Sequence, residues 1–143
     1  RTLEKMAVRA GGGTNHRRSL GDGVLIKDNH IEAMRGQGLD LRQVIERVRA
    51  GVPHTLKVEV EVEDLAQVRD ALEAGAEALL LDNMGLEEMG RAVEMARGRA
   101  LTEASGGITL GNVREVAATG VDFISAGALT HSARSLDISL DLL

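Results

Sequence analysis

Val24-Leu25-Ile26-Lys27-Asp28-Asn29-His30 is the stretch on which the reading of this chain turns. Three consecutive aliphatic residues suit a short strand buried on both faces, the kind found in parallel sheets. The run stops at a lysine, an aspartate, an asparagine and a histidine, groups that bind, donate or carry charge. The same grammar recurs downstream. Leu56-Lys57-Val58-Glu59-Val60-Glu61 ends in a carboxylate, and Ala78-Leu79-Leu80-Leu81 runs into Asp82-Asn83. Ala100-Leu101-Thr102-Glu103-Ala104 runs into Ser105-Gly106-Gly107, and Val121-Asp122-Phe123-Ile124-Ser125-Ala126 runs into Gly127. Apolar runs that each end in a polar residue or a glycine match α/β barrels, which keep their chemistry at the carboxyl ends of the strands.

Composition narrows the function classes. The chain has 143 residues, enough for a single α/β unit with its own core. It is 43% hydrophobic and 27% charged, an ordinary soluble balance. Phe123 is the sole aromatic residue, so the core must be aliphatic and no stacking platform for single-stranded nucleic acid exists. A net charge of −5 argues against a phosphate-backbone binder, and no nucleic-acid partner is expected. The absence of cysteine excludes disulfides and thiolate chemistry. No apolar run reaches membrane-spanning length, and the default expectation is a cytoplasmic setting with no membrane partner. Arg1-Thr2-Leu3-Glu4 enters a helical pattern without an initiator Met, which predicts a portion of something longer.

Along the chain, Leu3 to Arg9 suits a helix with Leu3, Met6 and Ala7 on one face, ended by Gly11-Gly12-Gly13. Thr14 to Gly23 reads as a polar connection, with Arg18 at the surface. A loose segment punctuated by Gly36 and Gly38 is expected after Lys27. Asp40 and Asp64 then open amphipathic helices, the first with Leu41, Val44, Ile45 and Val48 inward and the second with Leu65, Val68 and Leu72. Leu86, Met89, Val93 and Ala96 share a face of a further helix, and another is expected to open at Thr109. Leu136 to Leu143 alternates like a last strand or partly buried tail. The even spacing of strand ends at Lys27, Glu61, Asp82, Ser105 and Gly127 fits successive right-handed βαβ crossovers. The fold class is therefore α/β, a portion of an open (β/α) barrel with parallel strands, with too few strands to close an eight-stranded one.

Candidate chemistry gathers at those strand ends. Ser105-Gly106-Gly107 and Gly127-Ala128 follow neighbouring strands, where glycine lets backbone N–H groups approach a phosphate. Each glycine alone is equally explained by a tight turn; paired on adjacent strands they favour a phosphate grip. Lys27, His16 and Arg17 would form the cationic side of the mouth, with Arg17 suited to a carboxylate. Glu61 and Asp82 end adjacent strands and could hold Mg²⁺ through water, bind sugar hydroxyls or steady a cationic transition state. The alternative is that one of them pairs with Lys27 or Lys57 as a structural ion pair. Glu59 and Lys57 share the parity of Glu61, so periodicity does not choose between the glutamates. The four histidines lack HxH or HExxH spacing, which argues against a transition-metal site.

Gly11 to Arg17, Val24 to His30, Lys57 to Glu61, Leu80 to Met84, Glu103 to Thr109 and Ser125 to Thr130 occur in one order along the chain. In that order they resemble the nicotinate-nucleotide pyrophosphorylase (quinolinate phosphoribosyltransferase) family, in its C-terminal barrel portion, which is type II phosphoribosyltransferase-like. The resemblance implies a homodimer whose subunits carry an N-terminal α/β domain before the barrel; that domain and its Thr-Arg-Lys-Thr motif are expected to lie before Arg1. It implies transfer from 5-phosphoribosyl-1-pyrophosphate to quinolinate with Mg²⁺, giving nicotinate mononucleotide, CO₂ and pyrophosphate for NAD synthesis. It implies that His16, Arg17 and Lys27 bind substrate carboxylates and phosphate, that Glu61 and Asp82 serve the ribose and metal, and that Lys27, Glu61 and Asp82 are catalytic. Ser105, Gly106, Gly107, Gly127 and Ala128 are implied as phosphate loops, and Glu61 is chosen over Glu59. On this reading the chain by itself is inactive but still holds phosphate or sulfate at its glycine turns. A barrel paralogue acting on another heteroaromatic carboxylate, and a non-catalytic scaffold module, are the competing readings.

Overall fold

The computed structural model describes residues 2–17, 19–132 and 136–141. Arg18, expected at the surface, and the last two residues of the expected terminal strand lie outside them. The elements run α1 (Thr2–Ala10), β1 (Val24–Ile26), α2 (Asp28–Arg35), α3 (Leu41–Gly51), β2 (Val58–Val62) and α4 (Leu65–Glu73). They continue as β3 (Ala78–Asp82), α5 (Leu86–Ala96), β4 (Leu101–Ser105), α6 (Val113–Ala118), β5 (Phe123–Ile124) and α7 (Ala128–His131). All neighbouring strands are parallel, in the order β1-β2-β3-β4-β5. Sequential parallel strands joined by helices are the expected strip of a (β/α) barrel.

Alternation divides each strand between two faces. Val58, Val60 and Val62, with Leu79, Leu81 and Ala104 on the next strands, are fully buried. They form one cluster with Val44 and Ile45 of α3, Val68, Ala71 and Leu72 of α4, and Met89, Ala92 and Ala96 of α5. Burying a side chain of Val or Leu size is worth roughly 1.5–3 kcal/mol. The sheet–helix layer therefore supplies the core, and the other sheet face is free to be polar. That face carries Glu61, Leu80, Glu103 and Phe123 in one register row and Asp82 beside Ser105 in the next.

The helix caps follow the sequence. Asp40 accepts from the Gln43 backbone N–H at 2.9 Å while the Gln43 side chain accepts from the Asp40 N–H at 3.0 Å, a closed capping box. Asp64 accepts from the Gln67 N–H at 2.8 Å.

The structure corrects four expectations. The segment after Lys27 is helical, as α2, because Ile31 and Met34 at i and i+3 give it an apolar side; Ile31 is 7% exposed. The helix after the glycine turn begins at Val113, not Thr109. Asn112 accepts from the Thr109 N–H at 2.8 Å and donates to the Gly107 carbonyl at 2.9 Å, and such local side-chain bonds compete with a helical turn. Residues 136–141 form no strand, and Leu136, Ile138 and Leu140 are exposed. Leu3 and Met6 do share a side of α1, but both are exposed, as Leu86 is on α5. Periodicity identifies a helix without naming what covers it.

Candidate active site

Parallel strands bring their carboxyl ends to one edge, and five of the singled-out positions lie there. Lys27 follows β1, Glu61 is near the end of β2, Asp82 and Ser105 are the last residues of β3 and β4, and Gly127 follows β5. The Lys27 ammonium lies 3.0 Å from Glu61 Oε2. Glu61 is 8% exposed, so its carboxylate depends on that cation for charge compensation, whereas Lys27 reaches into solvent. The hydrogen bond to Glu61 pushes the Lys27 pKa above its ordinary value; partial burial opposes the shift, and the fields of Glu61, Asp28 and Asp82 add to it. Lys27 thus stays charged at a mouth lined by carboxylates. The ion pair weighed as an alternative is formed, and it is formed at the strand ends where a ligand would sit.

Parity sets Glu59 and Glu61 on the same side of β2, but they serve different partners. Glu61 meets Lys27. Glu59 Oε2 lies 3.1 Å from His16 Nε2, and Glu103 Oε1 of β4 lies 4.0 Å from the same nitrogen. The Ser125 hydroxyl donates to Glu103 Oε1. The donor atoms of His16, Glu59 and Glu103 all fall within 4.8 Å of one another. Reading the sequence missed this cluster, since spacing rules for histidine see one segment at a time. The available signal was the shared parity of Glu59, Glu103 and Ser125 on the concave face.

The hydrogen bond to Glu59 is the main cause of a raised His16 pKa. Burial opposes it, Glu59 and Glu103 add their fields, and Arg17 subtracts. Burial raises the Glu103 pKa; the Ser125 hydrogen bond lowers it, the Glu59 charge raises it, and His16 lowers it. A histidine raised on folding stabilises fully below its unfolded pKa, and the contribution is lost as pH rises through the folded value. His16→Gln should therefore be less stable than wild type below about pH 6.5 and converge on it at higher pH. The difference should be no more than about 1 kcal/mol, because the ring is 36% exposed and screened. Urea unfolding of both proteins across that range measures it; a difference that grows with pH would contradict the assignment.

Arg17 does not join this edge. Its guanidinium donates to the Gly23 carbonyl at 3.2 Å, just before β1. It lines a cavity of about 180 Å³ with Val24, Lys57, Ala78 and Leu101, residues at the strands' amino ends. The expectation that Lys27, His16 and Arg17 share one mouth holds only in part: no contact joins Arg17 to Lys27 among the described residues, whereas Arg17 and His16 line, with Glu103 and Ser125, one wider cavity of about 790 Å³. His16 turns to Glu59 and Glu103, and the Arg17 guanidinium turns to the Gly23 carbonyl.

The first glycine turn is tight. Gly106 and Gly107 have φ of +85° and +60°, backbone that glycine adopts without cost. α6 starts beyond Asn112, so no helix N-terminus abuts this turn. An anion here would be held by the turn's own N–H groups. Gly127 differs: its φ of −59° is open to any residue, and a Cβ would meet only the His131 ring at 3.5 Å. With Ala128 it opens the four-residue α7, and Gly127, Ser125 and His16 line one cavity of about 420 Å³.

Mg²⁺ favours hard oxygen ligands and keeps much of its water shell. Two carboxylates on adjacent strand ends, one buried and one half-buried, are a donor set that fits it.

Comparison with known proteins identifies the family. The family model described as Quinolinate phosphoribosyl transferase, C-terminal domain, matches residues 1–141. A nicotinate-nucleotide pyrophosphorylase [carboxylating] of Mycobacterium leprae is 48% identical over 145 residues, covering 99% of this chain and 49% of that protein. The probable enzyme of the same name in Bacillus subtilis (strain 168) is 44% identical over 142 residues, covering 99% and 48%. The crystal structure of nicotinate-nucleotide pyrophosphorylase from Ehrlichia chaffeensis superposes with a TM-score of 0.86 at 39% identity, covering 97% of this chain and 49% of that one. The chain thus spans about half the length of the curated relatives it matches. With the match running through nearly every residue, the chain belongs to the quinolinate phosphoribosyl transferase C-terminal domain family.

Proposed function

We propose that this chain is the barrel portion of an enzyme that transfers the phosphoribosyl group of 5-phosphoribosyl-1-pyrophosphate to quinolinate, with loss of CO₂. The observation that carries the reading is the Lys27–Glu61 pair at 3.0 Å on the same sheet edge as Asp82 and the Ser105 turn. A cation, two carboxylates and a glycine turn at the carboxyl ends of neighbouring strands support a site for an anionic sugar phosphate.

In the reaction the pyridine nitrogen bonds to ribose C1 while the C1–oxygen bond to pyrophosphate breaks, its electron pair leaving with pyrophosphate. Positive charge develops at C1, and Glu61 and Asp82 stabilise it and orient the ribose hydroxyls. Lys27 and His16 bind substrate carboxylate and place the ring nitrogen for attack. The Ser105-Gly106-Gly107 and Gly127-Ala128 turns hold the 5-phosphate. Once the nitrogen is positive, the electrons of the adjacent C–carboxylate bond fall toward the ring, CO₂ leaves, and the ring carbon takes a proton from water. Glu61 and Asp82 would hold Mg²⁺, which when bound offsets the charge of the departing pyrophosphate. Products are nicotinate mononucleotide, CO₂ and pyrophosphate, which serve NAD synthesis.

The working protein is a homodimer, as the resemblance implies; the exposed apolar side of α1, with Leu3 and Met6, leaves surface for a partner. The proposed setting is cytoplasmic; separately, no helix among the described residues is long and apolar enough to cross a membrane. Assay of the whole protein with quinolinate and with nicotinate tests the substrate. Quinolinate should be consumed with equal release of CO₂ and pyrophosphate. Preferential turnover of nicotinate without CO₂ would overturn the assignment.

A further inference from the structure

Asn83 follows Asp82 directly and is the one non-glycine among the described residues with a positive φ, 53°. Side chains other than asparagine and aspartate resist that backbone, and residues kept in it concentrate where a site demands them. The contacts show what the conformation achieves. Asn83 Nδ2 donates to Asp82 Oδ2 at 2.7 Å, closing the carboxylate against its neighbour. The Asn83 backbone N–H donates to the Ser105 carbonyl at 3.0 Å, one step beyond the last paired residues of β3 and β4, Asp82 and Ser105. The Asn83 side chain also fills the space over Gly106. A Cβ built on Gly106 would fall inside the Asn83 amide and 2.9 Å from its backbone nitrogen.

We propose that Asn83 is a positioning residue that fixes the Asp82 carboxylate against the Ser105-Gly106-Gly107 turn, so that the ribose contact and the phosphate contact act as one rigid unit. The proposal rests on the functional reading above. Its chemistry is that of a hinge removed. Left-handed backbone at Asn83 turns the chain so that one amide reaches Asp82 while packing on the turn of the next strand. Without it, Asp82 would sample other rotamers and Gly106 would lose the wall that seats it.

Asn83→Gly keeps the backbone conformation and removes the amide; Asn83→Asp keeps the shape but sets a second carboxylate beside Asp82. In the whole protein both should lose about tenfold to a hundredfold in kcat/KM for 5-phosphoribosyl-1-pyrophosphate, the range for a hydrogen bond to a charged group. The Gly variant should keep a near-native urea midpoint. Because Asn83 acts through Asp82, Asn83→Gly combined with Asp82→Asn should be hardly slower than Asp82→Asn alone. Inorganic phosphate followed by the amide shifts of Gly106 and Gly107 supplies a readout that needs no turnover, and Asn83→Gly should weaken its binding severalfold. Native kcat/KM together with native phosphate affinity in Asn83→Gly overturns the proposal, as does full additivity with Asp82→Asn. A near-normal rate in Asp82→Asn instead overturns the functional reading of that carboxylate. The phosphate titration then still decides whether Asn83 seats the turn.

Discussion

Glu61→Gln and Asp82→Asn are each expected to lower the turnover of the whole protein by roughly a hundredfold or more while leaving it folded. Removing one preorganised group aimed at transition-state charge typically costs that much. Both replacements are nearly isosteric, which separates charge from shape. Glutamine at position 61 can still accept from the Lys27 ammonium through its carbonyl oxygen, and Lys27, half in solvent, keeps its hydration. Asparagine at position 82 can still accept from Asn83. What is lost is negative charge at the sugar and a hard ligand for Mg²⁺, so the Mg²⁺ requirement should shift with the rate. Arg42→Ala is the control. Arg42 pairs with Asp70 and Glu73 between α3 and α4, on the outer layer, and its loss should leave the rate unchanged. A carboxylate variant with near-normal turnover and unaltered Mg²⁺ dependence would make that residue a structural partner only.

The parts of this site that were legible in the sequence are those that local pattern encodes. Strand ends could be placed because an aliphatic run stops where it stops being buried, so Lys27, Asp82 and Ser105 announced themselves. Parity put Glu59 and Glu61 on one face and went no further, since it carries no information about which neighbour each meets. The answer lay in a distant segment: His16 reaches Glu59 across 43 positions, and Lys27 reaches Glu61 from just past the end of another strand. Arg17 was misplaced for a related reason. Adjacent residues take different partners, Glu59 for His16 and the Gly23 carbonyl for Arg17, so naming the two together found a shared cavity but not a shared contact, and neither is paired with Lys27. Helix α2 hid because it has a single buried apolar residue, Ile31. The alternation at 136–141 misled for the opposite reason. A strand needs an edge to pair with, and pattern alone cannot supply one.

Gly106→Ala should destabilise the protein by roughly 2–5 kcal/mol, while Gly107→Ala, one residue along, should cost about 1–2 kcal/mol. Both glycines have left-handed φ, so both substitutions bear the backbone penalty. Space separates them. Around Gly107 nothing lies within 4 Å of a new Cβ, whereas at Gly106 the methyl would enter the Asn83 side chain and approach its backbone nitrogen to 2.9 Å. That nitrogen cannot retreat without breaking its bond to the Ser105 carbonyl, and the amide cannot retreat without releasing Asp82. The strain should therefore spread to both strand ends, and phosphate affinity should fall with stability in Gly106→Ala. In Gly107→Ala affinity should fall less, because the turn keeps its wall. Gly107→Asn should be milder still, as asparagine tolerates this backbone. Urea midpoints for the three variants rank them directly. If Gly106→Ala proves no worse than Gly107→Ala, the turn is not seated on Asn83, and the rigid link between the carboxylate and the phosphate loop does not exist.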